Sequence, residues 1–296
     1  MSISIFDKKE KAQTVDRLKM LHFLDAGLAT GSTRFTRQAA LAWLTSFPGD
    51  LEINLSYARA LVAEKRYLHA APVLQKILRT DPEFVEAAIL AEEVFAVCDP
   101  AFLPLAAGTV KTLGGRPAHV DQIPDWSFTL NKIRKAISLG DLELAEDLFM
   151  EIIGETERIP LVCYYHLLFT QKRGDRATLL TLGKLYQSRW SDCVPINLIL
   201  ANALMESGES DEAVRLLHFC AANDPAAQVP IRMWGRNFAY LPIYPQELAI
   251  KFDLPIPAEV AGKLGLNVLV AGNENGEGAG KTSIKTEIAA FDGYQV

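Results

Sequence analysis

The chain has 296 residues and a mass of 32.6 kDa, room for one elongated repeat domain or two ordinary domains of about 100–200 residues each. It is 49 % apolar and 22 % charged with a mean hydropathy of +0.10, which excludes broad disorder. Thirty Lys and Arg against thirty-six Asp and Glu leave a net charge of −6, which argues against a nucleic-acid partner, because such affinity rests on excess positive charge.

From the N-terminus, the stretch from Met1 to Glu10 turns charged before a signal-peptide core can form, and no run approaches the roughly 20 apolar residues of a membrane span. A cytoplasmic protein without membrane insertion is expected. Cys98, Cys163, Cys193 and Cys220 are scattered through apolar helical surroundings without a CxxC pair, so they read as reduced core thiols and no disulfide is expected.

Helical hairpins follow in order. A degenerate first copy carries Gly31, Ala40, Trp43 and Pro48, and a clearer one spans 51–84 with Tyr57, Ala58, Leu61, Ala70, Leu74, Ile77 and Pro82. Another copy follows Val85. Further on, Gly140-Asp141, Gly174-Asp175 and Gly208-Glu209 each close an apolar segment at intervals of 34 residues. Five residues after two of these glycines come Ala145 and Ala213, with bulky Phe149 and Leu217 four residues later; Leu179 and Gly183 stand at those places in the middle copy. Each glycine ends a first helix in the left-handed conformation, with Lys65 at that place in the 51–84 copy, and the small residue lets two helices cross closely. Asp-Pro steps at Asp81-Pro82 and Asp224-Pro225 then start the next helix, Asp as N-cap and Pro in the first turn.

The interval from Ala70 to Ala145 exceeds two repeats by seven residues, and Gly114, Gly115, Pro117 and Pro124 mark the insertion. The expected organisation is N-terminal repeats over 1–113, a loop over 114–125, C-terminal repeats over 126–240, a capping segment over 241–270 and a flexible tail over 271–296. Within the cap a short helix is read over 245–252 and a further turn or two over 258–264, capping the exposed end of the solenoid.

The segment from Ile196 to Pro225, with Leu200, Ala201, Leu204, Gly208, Ala213, Leu217 and Pro225 in register, resembles a tetratricopeptide repeat almost throughout, and 51–84 is a second good copy. The resemblance covers about residues 15–240. It implies an all-α fold, a right-handed α-solenoid of stacked antiparallel hairpins whose first helices line a concave groove for a peptide or partner helix. In register, Leu55 and Arg59, Leu130 and Arg134, Tyr164 and Leu168, and Leu198 and Asn202 take the inward places, each pair four apart on one helical face. The family's carboxylate clamp uses Lys and Asn at places held here by Leu130, Arg134, Tyr165, Pro195 and Ile199, so chaperone-tail binding is not expected.

Catalytic signals are weak. The stretch from Asn275 to Thr282 resembles a phosphate-binding loop in which Gly280, Lys281 and Thr282 would hold a nucleotide, but Asn275 stands where the first Gly belongs and only fourteen residues follow Thr282. Cys163 and His166 share a helical face, yet the tighter cluster of a zinc site is missing. Neither a cofactor nor a metal is expected. The leading expectation is a non-enzymatic adaptor that binds a protein or peptide in its concave groove, with self-association through a free solenoid end as a further possibility. The alternative is a regulatory or sensor arm of a larger nucleotide-using or signalling protein.

Overall fold

The computed structural model describes residues 13–266, side chains from residue 14 onward, and the backbone of two short paired strands, Val268–Leu269 and Lys285–Thr286. The tail read as flexible (271–296) lies otherwise outside the described residues, Gly280, Lys281 and Thr282 included. The fold is an α-solenoid of antiparallel hairpins, each helix packed on the next. The N-terminal array comprises α1 (Arg17–Ala29), α2 (Thr33–Ser46), α3 (Leu51–Ala63), α4 (Tyr67–Thr80), α5 (Val85–Cys98) and α6 (Leu103–Thr112). The C-terminal array comprises α7 (Asp125–Leu139), α8 (Leu142–Ile152), α9 (Pro160–Arg173), α10 (Arg176–Arg189), α11 (Val194–Ser207), α12 (Ser210–Asn223) and the short α13 (Gln228–Trp234).

The repeat spacing acts through backbone geometry. Gly140, Gly174 and Gly208 end α7, α9 and α11 at φ of 78°, 74° and 86°, and Lys65 adopts φ 59° at the corresponding turn after α3. Asp141 and Asp175 then cap α8 and α10 by accepting from the backbone N–H of Leu144 (3.2 Å) and Thr178 (3.0 Å). Ala70, Ala145 and Ala213 are fully buried where the paired helices cross. Proline does not open the following helices as expected: α5 and α13 begin three residues beyond Pro82 and Pro225. The preceding aspartates cap those turns instead, Asp81 accepting from Glu83 N–H and Asp224 from the N–H groups of Gln228 (3.0 Å) and Val229 (2.8 Å).

The last segment departs from expectation. Residues 249–252 form a strand, β2 (Ala249–Phe252), not a helix, and pair antiparallel with β1 (Gln13–Asp16). Leu248, Ile250, Phe252, Ile256 and Val260 of this segment and of α14 (Ala258–Lys263) join Met20, Phe23, Leu24, Phe35 and Trp43 in one cluster, with Phe252 stacked on Phe23 at 5.7 Å. The end of the solenoid that this segment covers is therefore the first hairpin, which offers it an apolar face and a strand edge at β1. Arg17, directly after β1, fixes this corner by donating to buried Asp50 (2.8 and 3.0 Å), which also accepts from Trp43 Nε1 at 3.1 Å.

The two arrays share a core. One buried cluster combines Leu55, Leu61, Leu74, Ala88 and Phe95 of α3–α5 with Leu198, Ala201, Leu204, Leu217 and Val229 of α11–α13. Gly49, in the turn before α3, lies so close to the end of α12 that a Cβ there would stand 2.5 Å from the carbonyl carbon of Asn223. Across the same seam Arg232 of α13 donates twice to Asp81 (2.6 and 2.7 Å) and once to Glu83 (3.2 Å).

Asp224 lies fully buried in this seam, and burial pushes its carboxyl up to about 7 against the pull of its two backbone donors, with the charges of Asp81 and Asp50 adding to the rise. An acid whose folded pKa exceeds its unfolded value of about 3.9 binds more protons when folded between those limits. The Asp224 contribution to stability should therefore fall as pH rises from about 4 to 7, so that between those limits the urea midpoint of wild type loses ground relative to that of Asp224→Asn.

Candidate partner-binding site

Four of the eight side chains assigned to the concave groove are unavailable to a partner. Leu55, Leu130, Tyr164 and Leu198 are 0–4 % exposed. Leu55 and Leu198 meet in the core shared by the arrays, and Leu130 and Tyr164 lie in the core of α7–α11. The correction has a physical cause: apolar side chains are more stable covered, Leu198 by the N-terminal array and Leu55 by the C-terminal one, and Leu130 and Tyr164 by neighbouring helices of α7–α11. Leu168 is half-buried against the α7–α11 core. Asn202 is half-buried too, donating to Glu206 (2.9 Å) and accepting from Tyr240 OH (2.8 Å). Arg59 is exposed on α3 and makes no side-chain hydrogen bond or ion pair with the described residues.

Arg134 remains, and it is held in place. Its Nε donates to Tyr165 OH at 2.7 Å, its Nη1 to the Thr112 carbonyl at 2.5 Å, and its guanidinium stands 5.6 Å from the Tyr165 ring centre. Tyr165 OH in turn donates to Glu83, the carboxylate that also receives Arg232. Burial first, and then the charge of Glu83, push the Tyr165 hydroxyl well above the usual tyrosine range, so it stays protonated and able to donate. The chain Arg134, Tyr165, Glu83, Arg232 thus ties α7, α9 and α13 to the turn between α4 and α5.

Beside it, Arg134, Lys135, Ile137 and Ser138 of α7 and Tyr165 and Lys172 of α9 line an open concavity of about 330 Å³. Lys135 and Lys172 are exposed and form no ion pair among the described residues, and none of the six lining residues is acidic. Lys172 stands in the last turn of α9, where the backbone dipole favours cations. Lys135, Lys172 and Ile137 were not among the residues singled out from the sequence. Their signal was present, because neither lysine has an acidic residue three or four positions away on its own helix.

The other chemical candidates have local partners. Cys163 Sγ donates to the Thr156 carbonyl (3.0 Å), and His166 Nδ1 lies 2.7 Å from Tyr186 OH with its pKa lowered by burial. The four cysteines are free thiols. Among the described residues no three His, Cys, Asp or Glu side chains are grouped to hold a metal, and no helix is long and apolar enough to cross a membrane. Comparison with protein-family models, with curated proteins and with solved structures returns no match.

Proposed function

We propose that the protein is a non-enzymatic, tetratricopeptide-like adaptor that binds an acidic segment of a partner protein in the concavity between α7 and α9. The observation that carries this reading is the convergence of Arg134, Lys135 and Lys172 on one concave surface that lacks any acidic lining residue, in a chain whose net charge is −6. A local field of that sign steers and selects a carboxylate-rich ligand. Arg134, with its orientation fixed by Tyr165 and Thr112, supplies a preorganised fork, while exposed Lys135 and Lys172 supply mobile charges beside it. The resemblance to tetratricopeptide repeats supports the same class of partner, with the contact confined to the part of the inner face that the N-terminal array leaves open.

Fluorescence anisotropy with a labelled glutamate-rich peptide tests the proposal. Saturable binding that weakens as salt is raised is expected, because exposed charges are screened beyond about 10 Å at 0.1 M salt. Equal binding of a lysine-rich peptide, or none of the acidic one, would contradict it.

A further inference from the structure

A second cavity, of about 270 Å³ and partly open to solvent, lies where the arrays meet, lined by α4–α6 on one side and by the start of α9 and the end of α10 on the other. Its walls are mainly apolar: Leu78, Phe95, Phe102, Leu105, Leu161 and the Trp190 ring. Of its polar lining groups, Arg79 is engaged with Asp192 (3.1 Å) and Gln75 with Asp99 (3.0 Å). Arg158 makes no side-chain hydrogen bond or ion pair with the described residues, and no acidic side chain lines the space.

From this arrangement we infer that the inter-array cavity is a binding site for a small monocarboxylate with an aromatic or branched apolar body, the body among Phe95, Phe102 and Leu161 and the carboxylate on Arg158. A mainly apolar concavity with a few polar groups is the usual form of a small-molecule pocket, and of its two arginines the one without a partner, exposed Arg158, can take a carboxylate through paired N–H donors. At about 30 Å³ per water-sized group, the volume suits a ligand of roughly ten non-hydrogen atoms. The site is separate from the α7–α9 concavity and shares no lining residue with it. A ligand here would contact both arrays at once and so favour their closed packing.

The test uses phenylacetate and its neutral isostere phenylacetamide, each titrated calorimetrically and followed by Trp190 emission, with Trp190→Phe identifying the signal. Phenylacetate should bind saturably and about tenfold more tightly than the amide, the difference one charge-assisted hydrogen-bond pair makes. Arg158→Gln should bring the two ligands to equal affinity, and Arg134→Glu should leave their ratio unchanged. Absence of saturable binding, equal affinities in the wild type, or a preference that survives Arg158→Gln would overturn the assignment, as would loss of that preference in Arg134→Glu.

Discussion

Replacing Leu198 with alanine should lower the free energy of unfolding by about 3 kcal/mol, measured as a drop in the urea midpoint, while the protein that remains folded binds acidic peptide as before. Leu198 is fully buried on α11, a helix without a solvent face over its first eleven residues apart from Asn202. Ile196, Ile199 and Ala203 face the core of α7–α11, whereas Val194, Leu198, Ala201 and Leu204 face the core shared with α3–α6. Truncation removes three carbons from a position that packed neighbours hold on every side, so the transfer cost and the cavity cost add. A groove-lining leucine would behave in the opposite way, with a stability change within about 0.5 kcal/mol and a loss of binding.

The second large effect is expected at the polar end of the same seam. Arg232→Met should destabilise the protein by about 2–4 kcal/mol, because it leaves the 2 %-exposed Asp81 carboxylate without its bidentate partner and deprives Glu83 of one as well. The Arg232 side chain is itself 36 % exposed, so water screens part of the interaction and the effect stays below that of a fully buried pair. Adding Asp81→Asn to Arg232→Met should recover part of the loss, since the orphaned charge is then gone. A double-mutant cycle on urea midpoints measures this, and strictly additive losses would mean that the pair is not coupled.

Local structure was far more legible in the sequence than closure. The glycines at intervals of 34 residues, the left-handed turn at Lys65 and the small residues at the crossings all act within one hairpin, and each carries a short-range signal. The closing strand also carried a signal, the alternation of buried Leu248, Ile250 and Phe252 with Ala249 and exposed Lys251. Its partner lies more than two hundred residues away at Gln13–Asp16, however, and no local pattern specifies that pairing. The burial of the inner face was written in α11, whose run from Val194 to Ala201 lacks the polar stripe of a half-exposed helix. Register alone placed Leu198 and Leu55 toward a groove. It did not show that the N-terminal array would fill it.

The site was legible in part for the same reason. Arg134 followed from register, whereas Lys172 joins it only because α9 packs beside α7 and brings the ends of both helices together. Arg59 followed from the same register but lies outside that concavity. These two arginines, equivalent in the repeat and different in the folded chain, separate the account from its simplest rival. The deciding measurement is the affinity for the glutamate-rich peptide in Arg134→Glu beside Arg59→Glu. The predicted result is a loss of at least tenfold for Arg134→Glu, the size expected when a charge-assisted contact is reversed, with Arg59→Glu within about twofold of wild type. Equal losses in both variants would contradict the account and restore a continuous groove running along both arrays.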